Sequence, residues 1–105
     1  MNIKNNDPLH SESLNSIVVD YFKTNLPTFI LEDQTSYGPY WGVTYSNKNI
    51  EIIVGGDIGF GINIFIDKTE FHLWQYDKTV NNAMNTNEKN ILIQLDILKR
   101  FLIDL

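Results

Sequence analysis

Apolar residues recur along this chain with two periods, and the period changes twice. Leu14, Ile17, Val18, Tyr21 and Phe22 stand three or four apart, the spacing that lines one side of an α-helix. A helix is predicted from about Asp7 to Asn25. Asp7 serves as its cap, and Pro8 sits in the first turn, where its missing N–H costs nothing. Asn25 followed by Pro27 is the stop signal. Residues 1–6 are polar and are expected to be disordered.

From Thr28 the period falls to two. Strands are predicted over Thr28–Asp33, Trp41–Ser46, Asn49–Val54, Ile62–Asp67 and, as a fifth, Glu70–Tyr76. Trp41, Val43 and Tyr45 share a face, as do Ile50, Ile52 and Val54, and then Ile62, Ile64 and Ile66. The connections after Ser46 and Asp67 are very short, so the strands are expected to form an antiparallel meander. Longer loops are expected at Gln34–Tyr40 and Gly55–Gly61. After the polar stretch "DKTVNNAMNTN" the helical period returns, from about Asn87 to Leu105. Ile91, Leu95, Leu98, Leu102 and Leu105 form its core stripe, and Ile93, Ile97 and Phe101 extend round the side. The class is therefore a single α+β domain over 1–105. It has an N-terminal helix, an antiparallel β-meander of four or five strands and a C-terminal helix, with both helices on one sheet face.

Composition narrows the function classes. In 105 residues, thirteen Asp and Glu stand against eight Lys and Arg, a net charge of −5. Nucleic-acid binding depends on basic residues at phosphates, so the balance argues against it and favours basic partners. There is no cysteine, which removes disulfides and thiolate metal sites. No apolar run approaches the ~20 residues of a membrane span. The N-terminus lacks the apolar segment of a secretory signal, so a cytoplasmic protein is expected.

"VGGDIGFGINIFI" (Val54–Ile66) carries four glycines within seven residues. A phosphate cradle needs its glycines between a strand and a helix, whose N-terminus supplies donors and positive potential. These lie between two strands, and no Lys-Ser/Thr ending follows. They read as a hairpin end. His10 and His72 lack metal-ligand spacing. Glu32 and Asp33 are adjacent on a strand and point to opposite faces, so they form no carboxylate dyad. No nucleophile motif is present. Catalytic residues, cofactor and metal are all expected to be absent.

Aromatics concentrate in "SYGPYWG" and "FHLWQY". In a meander alternate loops share one end of the sheet. This is expected to gather Tyr37, Tyr40, Trp41, Asp57, Phe60, Tyr76 and Asp77, with Glu32 and Asp33 close by. Tyrosines and tryptophan beside acids suit a protein-binding surface. In the competing reading Trp41 and Trp74 are core and the tyrosines only shield the sheet end. Ile53 and Phe65 are expected on the uncovered sheet face. That face, or Ile93, Ile97 and Phe101 of the last helix, offers a homodimer surface.

The element order, with "V-x-Y-S-N-x-x-I-x-I-x-V…D-x-G-x-G-I-x-I-x-I" from Val43 to Ile66, resembles small α+β immunity proteins of bacterial polymorphic-toxin loci. The resemblance implies a non-enzymatic protein that binds and occludes a cognate toxin, such as a basic nuclease domain. Two alternatives remain open on the residues alone. One is a small-molecule-binding or enzymatic domain with a pocket between sheet and helices. The other is a structural homodimer.

Overall fold

The computed structural model describes residues 11–56, 59–80 and 85–105. The segment 1–6 and the predicted helix start at Asp7 lie outside them. Helix α1 (Ser11–Asn25) is followed by strands β1 (Ile30–Tyr37), β2 (Tyr40–Asn47), β3 (Ile50–Gly56), β4 (Gly61–Ile66) and β5 (Thr69–His72). A single-turn helix α2 (Leu73–Tyr76) and helix α3 (Glu88–Ile103) complete the order. The strands form one antiparallel sheet in chain order, β1-β2-β3-β4-β5.

The apolar periods explain the packing. Leu14, Val18, Tyr21 and Phe22 of α1 are buried against Trp41, Val43, Tyr45, Ile52, Val54, Ile62 and Ile64 on one sheet face. Ile91, Leu95 and Leu98 of α3 enter the same core. The α1 stripe is anchored by Phe22, whose ring stacks on Tyr45 at 3.9 Å between centroids. The two helices run in the same direction: Tyr21 Oη donates to Asp96 at 2.7 Å, and one turn further Lys99 Nζ donates to Asn25 Oδ1 at 3.2 Å. Asn87 caps α3 by accepting from the Asn90 N–H at 2.8 Å.

Three expectations change in the second half of the chain. Ile97 is core, not side, because α3 is flanked by α1 on one side and α2 on the other, so its buried arc is wider than one stripe. Leu105 is exposed, lying beyond the end of the helix. The fifth strand stops at His72 rather than Tyr76. There Gln75 Oε1 accepts from the His72 N–H at 3.0 Å, Leu73 turns into the core, and the chain makes one helical turn. That satisfies "FHLWQY", which has large residues on both faces and no single strand face to bury.

The loop expected at Gln34–Tyr40 is instead strand and turn. β1 runs to Tyr37, opposite Tyr40, and only Gly38 and Pro39 lie between them. Gly38 has φ +59°, the conformation a type II′ turn asks of its first central residue, and Pro39 cannot supply the second positive φ of a type I′ turn. The β4–β5 turn has positive φ at both Asp67 and Lys68, matching type I′.

Two-residue turns also fix the hydrogen-bond phase, because the residues flanking such a turn form a bonded pair. Three turns set this phase, through Tyr37/Tyr40, Asn47/Ile50 and Ile66/Thr69. All three agree: even-numbered residues of β2 bond to β1 and odd-numbered ones to β3. On β1, Tyr37, Thr35 and Asp33 turn their backbone groups toward β2, while Ser36 and Gln34 turn theirs to the outer edge. The uncovered sheet face carries the cross-strand rows Thr35–Gly42–Gly55–Gly61, Asp33–Thr44–Ile53–Asn63–His72 and Ser46–Glu51–Phe65–Glu70.

The glycines in these rows are not equivalent. A Cβ on Gly55 would collide with the Trp41 carbonyl and lie 2.7 Å from Gly42 Cα, whereas one on Gly61 would meet nothing within 4 Å. Gly55→Ala is expected to cost about 1–3 kcal/mol, the range for overpacking, and Gly61→Ala less than about 0.5 kcal/mol. Lys68→Gly relieves a left-handed lysine and is expected to stabilise by about 0.5–1 kcal/mol. Urea denaturation of the three variants checks all of this; equal effects of the two alanines would contradict the close approach at Gly55.

Candidate functional site

The glycine hairpin and the β1–β2 turn share one end of the sheet. Gly56 pairs with Trp41, and the Trp41 and Phe60 rings lie 6.3 Å apart. Asp57, expected in this group, lies outside the described residues. At this end of the sheet Tyr37 and Tyr40 face solvent, at 78% and 54% exposure. They stand directly opposite each other across the turn.

Trp41 and Phe60 are corrections. At 3% and 6% exposure both are core residues. Trp41 falls on the inner face with Val43 and Tyr45, and Phe60 folds in over it. Neither can offer its ring to a partner. Among the described residues, the Trp41 indole N–H and the Asn15 Oδ1 are buried without a hydrogen-bond partner, while Asn15 Nδ2 donates to the Thr35 carbonyl at 2.8 Å.

Tyr76 and Asp77 also part from the group. Tyr76 Oη donates to Asp104 at 2.5 Å and its ring meets Phe101 edge-on at 5.3 Å. Asp77 faces Arg100 at 3.6 Å. Both are thus held at the C-terminal end of α3. α1 begins with Ser11 bonded to Ser36, near the tyrosine turn, and ends with Asn25 at Lys99. The C-terminal end of α3 is therefore the far end of the sheet from Tyr37. The cause is the early stop of β5, which sends the chain onto α3 instead of along β4.

On β1, Glu32 lies within a register shift between Leu31 and Asp33, and Asp33 closes it. The bulge overturns the expected strict alternation. Glu32 accepts from the Ser46 hydroxyl, and Asp33 accepts from Thr35 Oγ1 at 3.2 Å. Ser46, like Asp33 and Thr35, belongs to the uncovered face, so both carboxylates serve that side.

The full exposure of β1 is the feature that the sequence reading missed. All eight of its residues are exposed, on both faces, and among the described residues no strand lies beyond it. A signal for this was present. The inward positions of β1 include Gln34 and Ser36, polar residues where β2, β3 and β4 carry Val, Tyr and Ile. A strand without an apolar face has nothing to bury under the helices. The uncovered face also holds a basin of about 690 Å³, lined by Glu32, Ser46, Glu51 and Phe65, with Lys48 and Lys68 at the two neighbouring turns. Ile53 and Phe65 are half-buried on this face rather than freely exposed.

Among the described residues, four groups have clearly shifted pKa values. Burial and the Asp96 hydrogen bond raise the Tyr21 pKa well above the ordinary phenol value. Burial, with Asp20 nearby, raises that of Tyr45. The Tyr76 phenol is raised first by its hydrogen bond to Asp104. The Asp77 carboxyl is lowered, chiefly by the Thr79 hydroxyl and then by the Thr79 N–H. Among the described residues no three His, Asp or Glu converge on a metal position. No helix among them is long and apolar enough to cross a membrane. We found no match for the chain among family models, curated proteins or solved structures.

The Asp77–Thr79 turn yields a test of sign. A carboxyl with a lowered folded pKa favours the folded state above its ordinary value, and that contribution is lost as pH falls through the lowered one. Thr79→Ala is expected to move the Asp77 titration upward, toward the ordinary carboxylate value, when followed by carboxyl-detected NMR. An unchanged titration would remove Thr79 as the cause.

Proposed function

We propose that this chain is a non-catalytic protein-binding domain, an immunity-type protein that occupies and blocks a basic toxin domain in the cytoplasm. Tyr37 and Tyr40 with the exposed strand β1 form its contact surface. The observation that carries this reading is the tyrosine pair. Two large side chains stand exposed and opposed at a rigid two-residue turn. Tyrosine offers broad amphipathic contact at low conformational cost and is enriched where interfaces draw their energy. Glu32 and Asp33 on the same strand, in a chain of net charge −5, favour a basic partner and speed its approach.

A structural homodimer is less well supported. Ile97, one of the three helix residues offered for it, is in the core. On the sheet face, Phe65 lies between Glu51 and Glu70, so two copies meeting there would oppose carboxylates.

The test uses the protein encoded directly upstream in the source genome, co-expressed with this chain. Tyr37→Ala with Tyr40→Ala is expected to weaken a complex at least tenfold in calorimetry and to abolish protection from toxicity, while the thermal midpoint moves by less than about 3 °C, as exposed positions allow. Full affinity in the double variant would remove this surface.

A further inference from the structure

The free edge of β1 has a defined chemistry. Its hydrogen-bond phase, fixed by the Gly38–Pro39 turn, leaves the N–H and C=O of Gln34 and Ser36 pointing away from the sheet. These alternate groups are what an added strand pairs with. The sheet's other edge is unlike it. β5 has four residues, and the outward His72 N–H is already taken by Gln75.

Long open edges are hazardous, and proteins guard them with charge and bulges. β1 carries both guards, but at one end only: the bulge and the carboxylates of Glu32 and Asp33 come first, and Gln34 to Tyr37 pair regularly. Among the described residues neither carboxylate has a cationic partner. An acidic or neutral strand adding here would leave them uncompensated, and a second copy would bring more carboxylate to the edge. A basic strand would neutralise them.

We propose that β1 binds an extended, arginine-bearing segment of a partner protein as a sixth strand. The segment hydrogen-bonds to Gln34 and Ser36, and its guanidinium groups meet Glu32 and Asp33 on the uncovered face, where arginine's planar fork suits carboxylates. This rests on the protein-binding reading above and specifies its partner as an unpaired basic strand.

The probe is the capped pentapeptide Thr-Arg-Val-Arg-Thr, titrated into the full chain and followed by amide NMR. Slower exchange is expected at the Gln34 and Ser36 amides, with little change at Thr35. A peptide N-methylated at alternate residues keeps the side chains but loses the backbone donors, and is expected to bind at least tenfold more weakly. A citrulline analogue, equal in shape and uncharged, is expected to lose at least fivefold. Gln34→Pro removes an outward N–H and is expected to block the peptide in a folded protein, since edge strands tolerate such a proline.

Equal binding of the N-methylated peptide would overturn the proposal, as would shifts that map away from β1, equal binding of the citrulline analogue, or no binding at millimolar peptide. A dimer in sedimentation with Gln34 and Ser36 already protected would also overturn it, by assigning the edge to a second copy. Tyr37→Ala with Tyr40→Ala leaves the backbone of Gln34 and Ser36 in place. If those tyrosines prove essential for the natural complex while the pentapeptide fails, strand addition is wrong and the protein-binding reading stands.

Discussion

Everything in this structure depends on the phase of β2. Two-residue turns close on it at both ends, Tyr37/Tyr40 on one side and Asn47/Ile50 on the other. A slip of one residue would turn Trp41, Val43 and Tyr45 out of the core and bring Gly42, Thr44 and Ser46 in. With the phase fixed, β3 and β4 present Ile52, Val54, Ile62 and Ile64 on the same side. The two parallel helices have one continuous apolar face to cover. The same phase decides which backbone groups of β1 are spent on β2 and which are left over.

The helices cover only part of the sheet. α1 and α3 bury β2, β3 and β4, while β1, touched by the first half of α1, keeps all eight residues exposed. Its inward Gln34 and Ser36 make burial unprofitable, and Asn15 and Ser11 fasten the strand to α1 through hydrogen bonds to the Thr35 carbonyl and the Ser36 hydroxyl. What a core strand would spend on packing is left on the surface: a polar face, a free edge, two carboxylates and a terminal tyrosine.

Much of the fold was legible in the sequence because period is a physical signal. The switch from helical spacing at Leu14–Phe22 to alternation at Trp41–Tyr45, and back at Ile91–Leu98, placed the main elements and the core. The glycines of "VGGDIGFG" were legible as a hairpin end, and Gly55 shows why it is glycine there: the Trp41 carbonyl leaves no room for a Cβ. The misreadings arose where no strand-long apolar face exists. "QTSYGPY" reads as loop by composition, yet Gly38 and Pro39 close so tight a turn that Gln34, Thr35 and Ser36 stay paired. "FHLWQY" reads as strand by composition, yet the Gln75 side chain accepting from the His72 N–H and burial of Leu73 turn it into a helix. Trp41 and Phe60 were placed at the right end of the sheet but on the wrong side of its surface. Composition marked them as aromatic; the inward phase of β2 makes Trp41 core, and Phe60 folds in over it.

The central claim is that β1 is a fully formed strand with one side of its backbone unpaired by any described residue. Amide hydrogen exchange on the free protein reads this directly, residue by residue. The account predicts slow exchange at Thr35 and Tyr37 and fast exchange at Gln34 and Ser36, against uniformly slow amides in the β2–β3 ladder. Protection at Gln34 and Ser36 equal to that at Thr35 would contradict it, and so would fast exchange along the whole of β1.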